Sequence, residues 1–408
     1  MEYRKAICTT IVFKQIRQKS DMKRKCKNVD ITDLDFIKRR IHDCLQGKKK
    51  ARNDIVRLYE QYGNDDNLAL AIQKELIEEK LVLKPIWYKE KYDNASQKLR
   101  RIGIQDIKQQ IYDYIAVGGL EELLKRVGTY QCASIKNRGQ IYGKNAIKRW
   151  VDEYSNGKHT VKYAVKMDIR HYYESIDRKL IIEWLDKRVN NPKLMWLISE
   201  LLSTFEKGLS IGSYLSQHLA NLYISDIYYE LESLAKERHK KDGTIVRKKM
   251  VNHVLFYMDD LALFGSNSRD LIKATEFAIF YLQSKKGLDI KPTWQLINFE
   301  YEFIDMMGFR ISRNCVTIRR RTFKKLNRAY ARFKHNPSNV TIAKRIISYG
   351  GFLKYSDSYK YCHKLNTYAL DKYVRKVVSK YEKSKNSNIS AENYNKGYRR
   401  QVLCVPLS

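Results

Sequence analysis

Two adjacent carboxylates, Asp259 and Asp260, interrupt a run that is otherwise apolar. Val254-Leu255-Phe256 precedes them and Leu261-Ala262-Leu263-Phe264 follows. Both flanks read as short buried strands, with Tyr257-Met258-Asp259-Asp260 at a tight hairpin turn between them. Carboxylates are seldom buried alone, and two side by side repel unless a cation neutralises them. A hard divalent cation such as Mg²⁺ takes carboxylate oxygens and shares the rest of its shell with substrate phosphates. The chemistry implied is phosphoryl transfer at a two-metal site. The bland alternative is an Asp-Asp turn open to solvent.

Such a site needs a further carboxylate from elsewhere in the chain. Val161 to Met167 is rich in strand formers and ends at Asp168. An Asp at the end of a buried strand can face the Asp-Asp turn across an antiparallel neighbour; alone, it reads equally as a strand-end turn residue. Asp177 directly precedes a helical run, Arg178 to Arg188, and reads as its N-cap. Glu174 reads as solvated or structural.

Five motifs in order resemble those of reverse transcriptases, over about Lys84 to Lys360. Asp168 with Tyr173 resembles the first catalytic motif. Gly208 to Gln217, ahead of a helix with Leu215, Leu219, Leu222 and Tyr223 on one face, resembles the second. Tyr257-Met258-Asp259-Asp260 resembles the third, and Gly287 to Gln295 the fourth. Phe303 to Phe309, with Met307-Gly308-Phe309 at its end, resembles the primer grip. Where most of that family has Gln-Gly-x-x-x-Ser-Pro, this chain has Ile211-Gly212-x-x-x-Ser216-Gln217. That variant resembles the reverse transcriptases of diversity-generating retroelements, a group II intron-like branch. Gly128 to Gly139, Trp294-Gln295 and Ser348 to Lys354 are similar to the same group.

The resemblance implies an α+β right-hand polymerase fold: fingers, a palm with an antiparallel sheet, and a helical thumb. It implies RNA-directed DNA synthesis, with Asp168, Asp259 and Asp260 catalytic. These three and the Ile169 carbonyl would hold two Mg²⁺ ions, with Mn²⁺ as a substitute. Tyr173 would lie under the sugar of the incoming nucleotide and exclude a 2′-hydroxyl; core packing is its alternative reading. Gly212 would let the backbone approach the base pair, which a Cβ would obstruct. Ile211 replaces a hydrogen-bonding Gln, which in the family is linked to misincorporation opposite template adenine; otherwise it merely packs. Arg100 and Arg101 resemble the triphosphate-binding strand of the fingers, with Lys89 and Lys91 on a preceding segment. Lys291 lies where the family places a basic residue near the leaving phosphate, and is either a general acid or simply exposed.

The 408 residues carry 79 Lys and Arg against 45 Asp and Glu, a net charge of +34 spread along the chain. That excess implies a polyanion bound through its phosphates. No apolar run reaches the roughly 18 residues of a spanning helix, and no secretory signal is visible. A basic membrane-surface protein is therefore the weaker reading. Seven cysteines without a Cys-x-x-Cys pair read as reduced thiols in a cytoplasm, and the resemblance implies a bacterial or phage-encoded protein.

Residues 1–83 read as an N-terminal helical extension, with Ile37, Ile41, Leu45, Leu68, Leu70, Ile72 and Leu76 at helical spacing. Residues 84–150 read as fingers and 151–313 as palm, with interleaved fingers elements and the primer grip. Residues 314–408 read as a basic thumb and polar tail from Lys383, with Arg319 to Arg321, Lys324 and Lys325 against the primer–template. Lys240 to Thr244 reads as a hairpin turn. The partners implied are template RNA, the RNA/DNA hybrid, dNTPs and, in the resembling systems, a pentameric basic accessory variability protein. The product would be error-prone cDNA of a template repeat, used in mutagenic retrohoming. Two alternatives stand beside it. One is a group II intron-like, retron-like or phage-defence reverse transcriptase; the other is a catalytically idle RNA-binding scaffold.

Overall fold

Short polar caps start the first helices. Asp33 accepts from the Phe36 N–H and Asn64 from the Asn67 N–H, opening α1 (Leu34–Leu45) and α3 (Asp65–Ile77), with α2 (Asn53–Tyr62) between them. The computed structural model describes residues 24–48, 50, 52–93, 98–239 and 242–402; for 93, 98, 238, 239 and 385–402 it describes the backbone alone. Ile37, Ile41, Leu68, Ile72 and Leu76 are buried. Leu70, expected on the same face, is 51% exposed, because two residues turn a helix by about 200° from Leu68. Leu45 is only half-buried, and Cys44 and Ala69 take the inward places.

The chain divides into two compact units, Met1–Glu302 and Phe303–Ser408. In the first, a hairpin of β1 (Trp87–Asp93) and β2 (Lys98–Ile104) leads into α4 (Ile107–Gly119), which is buried along most of its length. Lys108 on α4 donates to Glu75 of α3 and, at 3.0 Å, to the Tyr62 hydroxyl of α2. The N-terminal helices thus share one core with α4.

Beyond α4 come β3 (Gln131–Cys132), β4 (Tyr163–Asp168), α5 (Arg178–Asp186), α6 (Pro192–Ser203), α7 (Tyr214–Tyr223) and α8 (Ser225–Ser233). Asp177 caps α5, accepting from the Lys179 and Leu180 N–H groups. Then follow the ribbon β5 (Ala235–His239) and β6 (Ile245–Lys249), β7 (His253–Tyr257), β8 (Asp260–Gly265), α9 (Ser268–Tyr281) and β9 (Gln295–Asn298). Residues 240 and 241 of the expected Lys240–Thr244 turn lie outside the described residues. The central sheet runs β9-β4-β8-β7-β3, antiparallel except for β3 with β7. Leu261 to Phe264 are fully buried, as an inner strand covered on both faces demands.

The second unit opens with a sheet of β10 (Ile304–Met306), β11 (Phe309–Ile311) and β12 (Val316–Ile318). Met307-Gly308-Phe309, grouped by sequence with 151–313, therefore lies with the C-terminal helices α10 (Arg320–His335), α11 (Val340–Gly350) and α12 (Thr367–Val402). On α10, Leu326, Ala329, Tyr330 and Phe333 face inward. Arg320, Lys324, Arg328 and Arg332 form an exposed stripe, while Arg319 is bound to Asp305 at 2.6 Å. The expected polar tail continues α12 to Val402, and residues 403–408 lie outside the described residues. The five described cysteines are free. Among the described residues, no helix is long and apolar enough to cross a membrane.

Candidate active site

The β7–β8 register pairs Tyr257 with Asp260, leaving Met258-Asp259 as a two-residue turn. Met258 takes φ +53°, a conformation bulky side chains seldom adopt and one that recurs at functional sites. The β4–β8 register sets Asp168 directly opposite Asp260. The Ile169 N–H donates to the Asp259 carbonyl at 3.0 Å, closing the end of the sheet. Three carboxylates separated by 91 positions in sequence thus meet at one sheet end. Burial, and then the adjacent Asp168 charge, push the Asp259 carboxyl above its ordinary range.

Cations surround this end. The Lys291 ammonium pairs with Asp168, and its N–H donates to the Asp168 carbonyl at 2.9 Å, so Pro292 does not displace it. Lys166 stands 3.8 Å from Asp260. Among the described residues, no three His, Cys, Asp or Glu side chains are close enough to hold a metal ion as they stand. The Asp168 carboxylate is drawn to Lys291 instead. The donors nevertheless fit a hard divalent cation: all are oxygens, and their mutual repulsion is relieved by positive charge.

Strand alternation separates the two arginines of the fingers. Arg100 acts on the site, its charge favouring the ionised forms of both Asp259 and Tyr173. Arg101 points to the other face, bound to Glu206 at 2.6 Å and stacked 4.2 Å over the Tyr88 ring. Ile211 lines a cavity of about 140 Å³ on that second face, with Tyr88, Arg101 and Glu206.

Tyr173 is half-buried beside the carboxylates, its hydroxyl 3.9 Å from the Met258 sulfur. Burial, then the Asp259 charge, raises its pKa. Gly212 has φ +115°, and a Cβ there would meet the Gly103 carbonyl oxygen at 2.4 Å. The approach of the β1–β2 hairpin by itself requires a residue without a side chain here. The Gly103 N–H donates back to the Ile211 carbonyl at 2.7 Å.

Sequence reasoning missed Asp113. This fully buried α4 residue accepts from the Ser213 hydroxyl at 2.7 Å and the Leu215 N–H at 3.2 Å, fixing the loop that carries Ile211 and Gly212. The available signal was an Asp inside the apolar run Ile111 to Val117. Sequence also missed that Gln217 accepts from the Ser134 hydroxyl at 2.9 Å, joining the second motif to the Gly128–Gly139 loop.

In the second unit, Met306 pairs with Phe309, leaving Met307-Gly308 as a two-residue turn with both φ positive. Met307 and Phe309 are buried. A Cβ on Gly308 would strike the Phe352 ring at 2.5 Å. The turn therefore rests on the Ser348–Lys354 segment.

A three-carboxylate sheet end, flanked by the β1–β2 hairpin and a glycine loop, suits phosphoryl transfer. Residues 89–311 match the family of reverse transcriptases (RNA-dependent DNA polymerases), more than half of the chain, and the chain belongs to that family. Reverse transcriptase domains generally use divalent metal ions. No curated protein matches the sequence. Among solved structures, apo telomerase from Candida tropicalis, truncated from the C-terminal domain, is similar at 15% identity with a TM-score of 0.40. The match covers 58% of this chain and 56% of that one, so the chain spans little more than half the length of that relative.

Proposed function

We propose that the chain is the RNA-directed DNA polymerase of a diversity-generating retroelement, working with two Mg²⁺ ions. The register that sets Asp168 opposite Asp260, with Asp259 in the turn, carries the polymerase reading. Asp168, Asp259, Asp260 and the Ile169 carbonyl would hold the ions. Bound there, they would supply charge neutralisation at the triphosphate and a lowered pKa at the primer hydroxyl. Arg100 neutralises phosphate from the fingers side. With a metal held by Asp168, the Lys291 ammonium, now paired with that carboxylate, would be available to the leaving phosphate. Tyr173 closes the floor beneath the sugar.

The exposed Arg320-Lys324-Arg328-Arg332 stripe suits a phosphate backbone, since like charges four residues apart destabilise a helix left without counterions. The Gln217–Ser134 bond supports the retroelement subgroup: two segments with that group's character meet, through a side chain where most of the family has Pro. A basic accessory variability protein and a structured template RNA are the partners this reading adds.

Primer extension on an RNA template tests it. Asp259→Ala with Asp260→Ala should abolish extension and leave RNA binding within about twofold, because the fold does not need carboxylates that repel each other. Extension at the wild-type rate by that variant sinks the polymerase assignment. Sequencing the wild-type cDNA tests the subgroup: errors should concentrate at template adenines, and evenly accurate copying leaves a polymerase of another system.

A further inference from the structure

The β5–β6 ribbon stands outside the chemistry described so far. Residues 235–249 hold seven basic and two acidic residues, a positive density about four times the chain average. All five residues of β6 are exposed, including Ile245 at 56% and Val246 at 40%. In register, Lys236 and Lys248 share one face, and Glu237 and Arg247 the other. An isolated two-stranded ribbon is marginally stable in water. Its base is nonetheless fixed. Lys236 grips both oxygens of Asp270 at 2.6 and 2.7 Å, and the Met250 N–H donates to the Leu234 carbonyl at 3.0 Å. The result is an anchored arm whose Arg247, Lys248 and Lys249 lie on a strand with all five residues exposed.

We propose that this ribbon binds the phosphate backbone of an RNA segment lying outside the copied strand. Charge complementarity selects a polyanion. The choice of RNA rests on the RNA-templated reading of the active site. The exposed aliphatics Ile245 and Val246 add contact with sugars that a purely ionic patch would lack.

The test is Arg247→Thr with Lys248→Thr and Lys249→Thr, substitutions that keep strand propensity. A second variant, Arg247→Lys with Lys248→Arg and Lys249→Arg, retains the charge. Two probes are titrated against the full chain across a salt series: a bare RNA/DNA primer–template duplex, and the same duplex carrying a long RNA stem beyond it. The threonine variant should bind the stem-bearing probe more weakly, its log-affinity against log-salt slope falling by about 2–3. Its binding to the bare duplex, and its melting curve, should match wild type, as should the charge-retaining variant on both probes. An unchanged slope on the stem-bearing probe overturns the proposal, as does an equal loss on both probes. Equal loss on a DNA stem overturns the assignment to RNA. Binding is read without catalysis, so a wild-type chain that makes no DNA would fail the polymerase reading and still decide this one.

Discussion

Asp113→Asn removes a completely buried carboxylate that holds the loop carrying Ile211 and Gly212. One Asp113 oxygen accepts from the Ser213 hydroxyl and the Leu215 N–H, and the other from the Gln105 amide at 3.3 Å. Burial outweighs these bonds and pushes the carboxyl up to about 6 from 3.8. A shift of about 2 units is worth about 3 kcal/mol. The folded state holds the proton more tightly than the unfolded chain. The stabilisation is therefore complete below pH 3.8, falls as pH rises, and is fully lost above about 6. Asparagine cannot ionise. Its amide would oppose the Gln105 amide, but the Gln105 carbonyl oxygen now has no partner, and turning that side chain over supplies the acceptor.

Relative to the Asn variant, wild type should lose about 2 kcal/mol between pH 4.5 and 7.5. All five tryptophans lie within Met1–Glu302, so urea unfolding followed by tryptophan fluorescence reports the unit that holds Asp113. A difference that stays flat with pH would show that Asp113 titrates like an exposed carboxylate. A variant less stable by the same amount at every pH would show that Ser213 and Leu215 need the ionised form.

Gly212→Ala places a methyl 2.4 Å from the Gly103 carbonyl at φ +115°, and should cost about 2–4 kcal/mol with most of the extension rate. Gly139→Ala, into open space, is the control; melting both variants decides, and equal melting points would refute the packing role. Tyr173→Val should admit ribonucleotides far better than wild type in paired dNTP and rNTP competition, and an unchanged ratio would return Tyr173 to core packing. Ile211→Gln should lower errors opposite template adenine in sequenced cDNA, with equal error spectra counting against the side chain.

The sheet end was legible because apolar strands, an acidic turn and a strand-final Asp are local patterns, and the β4–β8 pairing follows once both strands are buried. The N-terminal helices were legible in period and blurred in phase: Leu70 counts as apolar in composition, yet lies on the solvent side. The division at Phe303 was not legible, because Met307-Gly308 reads as a loop until its hairpin is seen pairing within a sheet of the second unit. Asp113 was hidden for a different reason. Its partners, Ser213 and Leu215, lie about a hundred positions away, and nothing near Asp113 in sequence announces them.

Arg100 and Arg101, named together from sequence, are set apart by the geometry of their strand. Adjacent strand residues point to opposite faces, so only one of the pair can serve the carboxylates. The Glu206 bond takes Arg101 away, and with it goes the cavity that Ile211 lines. The backbone of Ile211 meanwhile holds the hairpin through its carbonyl, a contact independent of side-chain identity. Position 211 therefore combines a fixed main chain with a replaceable side chain. Exchanging that side chain changes the polar character beside the loop while the Gly103–Gly212 approach stays in place. Any change in error spectrum at that position then reports the side chain itself, and not a displaced loop.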